Sequence, residues 1–398
     1  MATLKDAMVA YLLVIFLINL SNNLPSAYWA IYLSETGLTL YEIGILQALY
    51  FLSVAFLDFP TGNIADKFGR RLSGAIGSML YGLSLIIVSV TRQFSIFIFA
   101  SFLGGLGTAL VSGSYEAWVT DEFKARNEFN KLKQVFSFGR SLGTCAAVFA
   151  GIISSILALS KTSLPIAMGG LVGILAGIVS IILMKENYGE RRGSFIRLFI
   201  LNIKRFFYSK EIMFFTLANL GLNSSIVFFF ISWQILLTSR GYPSEFLGAL
   251  YSVLVIAMTL GSMLSAFLMK KISDYRLLAI TSVGLGACFM AIMGTFDSVV
   301  MSVFVMIAFE LTLGLQTPVL IFWRNTLIPS SSRASILSGM STIISLSNAV
   351  MLIVLGKTTR ILGVDGTYLV MSFLYAVSFV SFLVIAKRIT GSSNYEAL

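Results

Sequence analysis

Apolar runs long enough to cross a lipid bilayer recur from one end of this sequence to the other. A spanning helix needs about 20 mostly apolar residues, because hydrocarbon offers the backbone no hydrogen-bonding partner. Of the 398 residues, 57% are hydrophobic and only 12% are charged, so little chain remains for a soluble domain. The runs predict twelve transmembrane helices, at about 7–33, 41–64, 72–91, 93–120, 134–159, 163–184, 211–238, 244–269, 277–296, 298–326, 335–360 and 363–386.

The positive charges of the chain are concentrated on one side of these runs. With the N-terminus in the cytoplasm, 22 of the 28 lysines and arginines fall in inner segments, 5 fall in outer segments and Arg140 lies inside a helix. Inner loops of membrane proteins carry this excess of basic residues. The distribution predicts an even number of spans in the cell membrane, with both termini cytoplasmic. It also explains the net charge of +10 without nucleic acid as a partner.

The longest polar interruption divides the chain into two halves. The sequence predicts six-helix bundles at 1–184 and 211–398, joined by a cytoplasmic linker at 185–210. Apolar and basic residues alternate at helical spacing within 195–207. The linker is therefore either an amphipathic helix on the membrane surface or an unstructured basic segment.

Short patterns recur at matching places in the two halves. Trp29 precedes Gly37 by 8 residues, and Trp233 precedes Gly241 by the same 8. Other matches occur in the same order at nearly the same offset, which favours a duplicated six-helix unit. Parallel repeats of this kind belong to an architecture in which the binding site lies at the interface of the repeats.

A charged, glycine-containing motif follows the second predicted helix. It reads Gly62-Asn-Ile-Ala-Asp66-Lys67-Phe-Gly69-Arg70-Arg71. The first glycine allows close helix approach, the second permits a tight turn, and the aspartate can accept hydrogen bonds from a facing helix end. The motif resembles the loop signature of the major facilitator superfamily. The resemblance implies an all-α major facilitator fold of two pseudo-symmetric bundles, with a cytoplasmic gate formed by Gly62, Asp66, Lys67, Gly69, Arg70 and Arg71.

Two further segments extend the resemblance. Asp58-Phe-Pro60-Thr61-Gly62 and Ser112-Gly-Ser-Tyr-Glu116-Ala-Trp118 look like a prokaryotic subgroup often grouped with drug-efflux permeases. The stretch from Leu103 to Trp118 is also similar to the eukaryotic molybdate-anion transporter family. The resemblance implies transport of a small-molecule substrate, with protons as the coupling ion.

Four ionisable side chains lie well inside the predicted spans, where a charge costs at least ~2.5–3.5 kcal/mol on insertion scales. Three of them, Asp58, Glu116 and Arg140, lie at similar depth in the first half. They form either a structural pair, most simply Glu116 with Arg140, or a protonatable network that rearranges as the gate opens.

The fourth, Glu310, lies near the middle of the tenth predicted helix, without an obvious basic partner inside the second half. The resemblance implies that the first, fourth, seventh and tenth helices line a central cavity. Burial without a partner favours the protonated form of a carboxyl group, so Glu310 is a candidate proton carrier. Alternatively, it binds a cationic substrate directly, or it stays neutral and hydrogen-bonds to a neighbouring helix.

Polar side chains on the cavity helices form a candidate substrate site. Those on the first helix follow helical i, i+3/i+4 spacing and share one face. Hydrogen bonding between helices explains any one of them equally well. The candidates are Asn19, Asn22, Asn23, Trp29, Tyr115, Asn219, Asn223, Trp233, Gln234, Glu310 and Gln316.

The sequence contains no nucleotide-binding loop or nucleophile–base pair, it has no histidine, and it has only 2 cysteines. We therefore predict neither an enzyme nor a cofactor or metal site. We expect a monomeric secondary transporter, surrounded by membrane lipid, that exports an apolar or cationic compound by proton-coupled alternating access. Proton-coupled uptake of a nutrient or anion, with Arg140 as a ligand, and a transport-inactive membrane receptor or scaffold are the alternatives.

Overall fold

Every regular element of the described chain is a helix. A computed structural model describes residues 4–188, 210–272, 274–328 and 333–393, and the side chains at 59, 63, 333–335, 338 and 388–393 are outside that description. The predicted amphipathic or basic stretch at 195–207 lies outside the described residues.

The chain forms two compact units. Unit 1 comprises Met1–Thr39, Ile45–Phe195 and Pro243–Ser252. Its helices are α1 (Leu4–Asn23), α2 (Trp29–Glu35), α3 (Leu40–Phe68, from Ile45 onward), α4 (Arg70–Val90), α5 (Phe94–Val111), α6 (Ser114–Lys124), α7 (Leu132–Ala158) and α8 (Ser163–Leu183). Two short 3₁₀ helices, Phe129–Lys131 and Ser244–Phe246, also belong to it.

Unit 2 comprises Leu40–Gly44, Ile196–Tyr242 and Val253–Leu398. Its helices are α9 (Lys210–Ser239), α10 (Leu247–Lys271, from Val253 onward), α11 (Tyr275–Thr295), α12 (Val299–Thr326) and α13 (Arg333–Ser393).

The described chain contains 11 helical segments that are long and apolar enough to cross a membrane. The last, Gly339–Lys387, has 49 residues and includes Gly363, where a φ of 71° and a ψ of 179° interrupt the helix. One span needs only about 20 residues, so this segment supplies two. The predicted number of twelve spans is therefore confirmed.

Two predicted spans are broken rather than continuous. The first, at 7–33, ends as α1 and resumes as α2, with Pro25 in the gap. Proline has no N–H to continue the helical hydrogen-bond ladder. The fourth, at 93–120, is divided into α5 and α6 at Gly113, which has a φ of 70°. Both breaks change which side chains share a face.

The helices α2 and α9 end in the same backbone conformation, as the sequence repeat predicts. Gly37 and Gly241 have φ values of 95° and 88°. The residue after each glycine donates its N–H to the carbonyl five positions earlier, at 3.2 Å after Gly37 and 3.0 Å after Gly241. This bond defines a Schellman motif, in which glycine occupies the left-handed position at little steric cost.

Close helix packing depends on glycine in both units, and unit 2 also has an aromatic core. A Cβ on Gly170 would lie 2.6 Å from the carbonyl oxygen of Gly82, so α8 and α4 approach too closely for larger residues. In unit 2, the ring centroids of Phe229 and Phe309 are 4.9 Å apart. Aromatic pairs at such distances stabilise a core by about 0.5–1.5 kcal/mol beyond the area they bury.

Candidate functional site

The predicted gate motif forms the turn between α3 and α4. Gly69, with a φ of 115°, makes the turn. Asp66 in the last turn of α3 and Arg70 at the start of α4 form an ion pair at 3.3 Å, and each is 8% exposed. Because both groups are buried, salt screens their attraction less than it would screen a surface pair.

Arg70 also contacts α6. Its guanidinium donates to the carbonyl oxygen of Ala117 at 3.0 Å and forms a second ion pair, with Asp121. The flat, five-donor guanidinium suits such simultaneous bonding. One arginine therefore joins α3, α4 and α6 through two carboxylates. Asp121 was not among the predicted site residues, because it follows the fourth predicted span among other charged residues.

Arg71 has a different partner, Glu186, which follows α8. The Glu186 carboxylate accepts the backbone N–H of Arg71 at 2.8 Å and of Leu72 at 3.1 Å, and it pairs with the Arg71 side chain at 3.3 Å. The first N–H groups of a helix have no partner within the helix, and their positive dipole end favours an anion. The same carboxylate occupies the space that a Cβ on Gly69 would need.

The residues that follow α8 are also bonded to α6. The indole N–H of Trp118 donates to the carbonyl oxygen of Lys185 at 2.6 Å. The Nδ2 of Asn187 donates to the carbonyl oxygen of Trp118 at 3.0 Å. The start of the predicted linker is therefore held beside the gate motif within unit 1.

Gly62 and Lys67 contribute less to these contacts than the rest of the motif. Apart from its chain neighbours and the adjacent backbone of α3, no described atom lies within 4 Å of the position that a Cβ on Gly62 would take, so the close helix approach expected there is absent from the described chain. Lys67 is exposed, and its ammonium lies 4.6 Å from the ring centroid of Phe68. The contacts of the motif therefore come from its other four residues.

The corresponding turn of unit 2 contains one acid and one arginine. Asp274 caps α11 by accepting the backbone N–H of Arg276 at 3.0 Å, and it accepts two bonds from that guanidinium, at 2.8 and 3.1 Å. The hydrogen bonds from the Arg276 side chain lower the pKa of the Asp274 carboxyl group below its ordinary value, because they stabilise the charged form.

The predicted charge pair of the first half is not formed. Asp58, Glu116 and Arg140 are all exposed. Among the described residues, no ion pair joins Glu116 to Arg140. The break at Gly113 begins a new helix, so the direction of Glu116 does not follow from one continuous span. Among the described residues of this unit, the buried charged side chains are those of Asp66 and Arg70.

Glu310 lies inside unit 2. It is 4% exposed and has no hydrogen bond or ion pair with any described residue. Gln316 is 1% exposed and Tyr375 is 0% exposed. Tyr375 lies near both Glu310 and Gln316, and its hydroxyl interacts with the side chain of Gln316. The Gln316 Oε1 has no partner in the described chain. Buried polar atoms are normally hydrogen-bonded. Unit 2 therefore encloses the carboxyl group of Glu310 and the amide oxygen of Gln316, neither of which has a partner in the described chain. The ring centroid of Tyr375 lies 6.0 Å from that of Phe309.

The predicted substrate residues of α1 bond mostly within their own helix. Asn19 donates to the carbonyl oxygen of Ile15 at 2.8 Å, and Asn23 donates to that of Asn19 at 2.6 Å. The Asn23 Oδ1 accepts a bond from Tyr251 at 2.5 Å, inside unit 1. Asn22 is exposed, and its carboxamide has no partner among the described residues.

The two aromatic candidates of unit 1 differ from each other. The buried indole nitrogen of Trp29 has no hydrogen-bond partner in the described chain. Tyr115 is 1% exposed, and its hydroxyl lies 3.2 Å from both Ser78 and Ser180. Tyr115 therefore connects α6 to α4 and α8, and its hydroxyl is already bonded on two sides.

The candidates on α9 are largely buried within unit 2. Asn219 donates to the carbonyl oxygen of Phe215 at 2.7 Å, and Asn223 donates to that of Asn219 at 2.9 Å. Trp233 is 2% exposed and Gln234 is 0% exposed. The structure therefore places Trp233 and Gln234 in the packed interior of their unit.

One buried arginine was missed by the sequence prediction. The Arg240 side chain, directly after α9, is 2% exposed and forms ion pairs with Asp365 at 2.5 Å and Asp297 at 3.5 Å. It also donates to Ser302 at 2.6 Å and to the carbonyl oxygen of Met293 at 2.5 Å. These bonds link the ends of α9 and α11 to α12 and α13. In the sequence, Arg240 appeared only as one of the few outer basic residues.

Twelve spans and a charged glycine turn after the second span agree with a known family. The sequence profile of the Major Facilitator Superfamily matches residues 11–322. The chain belongs to the Major Facilitator Superfamily. Solved structures of this fold superimpose well on the chain. The nucleoside transporter NupG has a TM-score of 0.78 at 14% identity, covering 96% of this chain and 99% of that one. A D-xylose-proton symporter has a TM-score of 0.73 at 12% identity, covering 96% and 97%.

Relatives in sequence are also members of this superfamily or drug-resistance proteins. Quinolone resistance protein NorA of Staphylococcus aureus is 30% identical over 176 residues, which is 43% of this chain and 43% of NorA, so the match spans less than half of that relative. The uncharacterized MFS-type transporter YxaM of Bacillus subtilis is 20% identical over 377 residues, or 91% of this chain and 92% of YxaM. The protein is therefore a multi-pass membrane protein of this superfamily.

Proposed function

We propose that this transporter exports an apolar or cationic compound in exchange for protons. The observation that carries the proposal is Glu310, a 4%-exposed carboxyl group without a partner among the described residues. The partial similarity to a quinolone resistance protein supports export of a drug-like compound over import of a nutrient.

In this mechanism Glu310 is the proton site. A charged carboxylate enclosed beside Phe309 and Tyr375 has a large desolvation cost, whereas the protonated group does not. When the transporter exposes the group to water, ionisation becomes favourable and the proton leaves. The resulting carboxylate attracts a cation. Because one carboxylate takes either the proton or the cationic substrate, the two move in exchange.

The gate motif controls the conformational change in this proposal. Arg70 connects Asp66 and Asp121, so α3, α4 and α6 move as one body while these bonds last. Rearrangement of the bonds changes the relative stability of two transporter conformations, and a ligand shifts that equilibrium through its different affinity for each. Within unit 1, the polar residues on α1 are the proposed contacts of the substrate.

The test is pH-driven flux in proteoliposomes of the purified full chain, with ethidium as a fluorescent apolar cation and norfloxacin as a quinolone. Glu310→Gln keeps the size of the side chain and removes its ability to titrate. We expect wild-type flux to follow the imposed pH gradient. We expect Glu310→Gln to lose pH-driven flux and to bind ethidium more weakly, because the carboxylate that takes either the proton or the cation is gone. The control is Glu128→Gln, on an exposed ion pair with Lys131, which should transport normally. Full pH-driven flux in Glu310→Gln would exclude this residue as the proton site.

The direction of flux separates the alternatives. In uptake of a nutrient or anion, the compound would accumulate on the side toward which the protons flow. Arg140, which is exposed, would then be the ligand of the anion. An Arg140→Gln variant would then lose anion uptake. A receptor or scaffold would show binding without flux in the wild type.

We also propose that the protein lies in the cell membrane as a monomer, with both termini and the linker at 185–210 in the cytoplasm and the bundles at 1–184 and 211–398 as its two halves. The excess of basic residues in the predicted inner segments supports this orientation. Epitope tags at both termini should resist external protease in intact cells and be cleaved after permeabilisation. Cleavage of one tag in intact cells would overturn the proposed topology.

A further inference from the structure

A small cavity lies within unit 1, among helices α1, α4, α5 and α8, and its mainly apolar lining includes several uncharged polar side chains. Its volume is about 40 Å³. The residues that matter for its chemistry are Asn22, Ser21, Ser78, Tyr81, Thr108 and Gly173. None of the described residues that line it is charged. The cavity therefore offers hydrogen bonds in neutral surroundings.

Three of the lining hydroxyl groups are already engaged. Ser21 donates to the carbonyl oxygen of Gly169 at 2.7 Å, and Ser78 donates to that of Gly74 at 2.9 Å. The hydroxyls of Thr108 and Tyr50 lie 2.9 Å apart. These bonds hold the wall of the cavity in place and leave Thr108 with capacity for two further bonds.

Two other lining groups are unused. Neither the Tyr81 hydroxyl nor the Asn22 carboxamide has a hydrogen-bond partner among the described residues. A tyrosine hydroxyl can both donate and accept, and a carboxamide has two donors and one acceptor oxygen. The two groups come from different helices, α4 and α1, and line the same space. Tyr81 and the exposed Asn22 therefore present to this space donors and acceptors that no described residue uses.

We propose that this cavity is a substrate subsite that binds a small neutral hydrogen-bonding group, such as a hydroxyl, carbonyl or amide, through Tyr81 and Asn22. The proposal rests on the proposed function, since it assigns the polar end of the transported compound. It adds a requirement to that function: an apolar or cationic substrate binds better when it also carries a neutral polar substituent.

The size and charge of the cavity set the ligand class. One water needs about 10–15 Å³ of such volume, so 40 Å³ accepts a group of a few heavy atoms rather than a whole drug molecule. A charged group would lose its hydration without gaining an opposite charge, which is costly. A neutral polar group replaces its bonds to water with bonds to Tyr81 and Asn22.

The experiment compares two probes that differ by a single hydroxyl. They are tetraphenylphosphonium and (4-hydroxyphenyl)triphenylphosphonium, and their binding to the full chain in detergent is measured by calorimetry. We expect the hydroxylated probe to bind about three- to tenfold more tightly, as one hydrogen bond allows. Tyr81→Phe, which removes only the hydroxyl of the protein, should abolish that difference. Tyr188→Phe, at a side chain 63% exposed, is the matched control and should preserve it.

The outcomes separate this subsite from the proposed function. Equal affinities of the wild type for the two probes would overturn the subsite and leave export of apolar cations intact. A preference that persists in Tyr81→Phe would also overturn it. If neither probe binds, the cationic substrate class of the proposed function fails, and a cysteine experiment then decides the subsite.

In that experiment Thr108→Cys is made in a chain whose two native cysteines, Cys145 and Cys288, are replaced by serine. Neutral methyl methanethiosulfonate should modify it at least about tenfold faster than the trimethylammonium-ethyl and sulfonatoethyl reagents, because charged groups are excluded from the cavity. Each rate is divided by that for Tyr188→Cys in the same chain. Equal normalised rates for the three reagents would overturn the subsite.

Discussion

Arg240 donates a hydrogen bond of 2.5 Å to the carboxylate of Asp365, although these residues are 125 positions apart in the chain. The arginine side chain is 2% exposed, whereas that of Asp365 is 58% exposed. The bond therefore connects a buried cation to an acid at the surface of unit 2. Together with its bonds to Met293 and Ser302, it makes Arg240 the common contact of four helices.

We expect Arg240→Met to destabilise the protein by about 1–3 kcal/mol, because it removes several hydrogen bonds to a charged group, while the exposed acids that remain are well solvated. The measurement is the thermal unfolding midpoint in detergent. Lys161→Ala, at an exposed base in unit 1, is the control and should unfold like the wild type. An unchanged midpoint for Arg240→Met would show that the cluster contributes nothing to stability.

Loss of the Asp121 carboxylate should slow transport more than it lowers stability. Asp121→Asn removes one of the two acids that Arg70 holds and leaves the ion pair of Arg70 with Asp66 in place. We expect the ethidium flux in proteoliposomes to fall at least about fivefold. A loss of about 1 kcal/mol of stabilisation in one of two conformations changes their ratio by about that factor. Lys124→Ala, an exposed change in the same helix, should keep its flux. Wild-type flux in Asp121→Asn would remove α6 from the gate.

The hydrogen bonds of Asp274 at the start of α11 predict that the stability of the folded protein depends on pH in the acidic range. Its pKa in the folded protein is lowered, so its contribution to stability is present above the pKa of the unfolded chain and disappears as the pH falls through the folded pKa. Asp274→Ala should be less stable than the wild type by about 0.5–2 kcal/mol at neutral pH. The difference between the two unfolding midpoints should shrink below about pH 4. A difference that stays constant from pH 7 to pH 3 would contradict the role of the charged carboxylate.

Two glycine substitutions should have opposite effects on stability. Gly241 has a φ of 88°, so Gly241→Ala places a Cβ in the left-handed region and should cost about 1–2 kcal/mol. Gly62 lies inside α3 and, apart from its chain neighbours and the adjacent backbone of that helix, no described atom lies within 4 Å of a new Cβ, so Gly62→Ala should stabilise the helix by about 0.5–1 kcal/mol. Unfolding midpoints of the two variants, measured side by side, check both signs. Destabilisation by Gly62→Ala would reveal a close contact at this glycine after all.

The repeat and the turns were predictable because they depend on local chemistry. Gly37 and Gly241 occur at the same distance from a tryptophan in each half, and both end a helix with the same Schellman bond. Gly69 was likewise recognisable as a turn residue. Such positions are determined by backbone conformation, which one or two residues can dictate.

The charged partners were harder to predict because they depend on distant packing. Glu116 and Arg140 lie at similar depth in the sequence, yet the break at Gly113 prevents a simple prediction of their directions. Glu186 follows the sixth span and still caps α4, more than 100 residues earlier in the chain. The sequence gives only a weak signal for these ion pairs, because the acids lie among many basic residues near the ends of the spans.

Membrane insertion and the number of spans follow directly from this amino-acid sequence, because lipid penalises every unpaired backbone group and every charge along about 20 consecutive residues. Such a rule needs no knowledge of neighbours. The choice of partners for Arg70, Arg71 and Arg240 was decided only when helices from separate parts of the chain packed together. An ion pair requires two side chains to meet within about 4 Å, and that distance is a property of the packed helices rather than of any single segment.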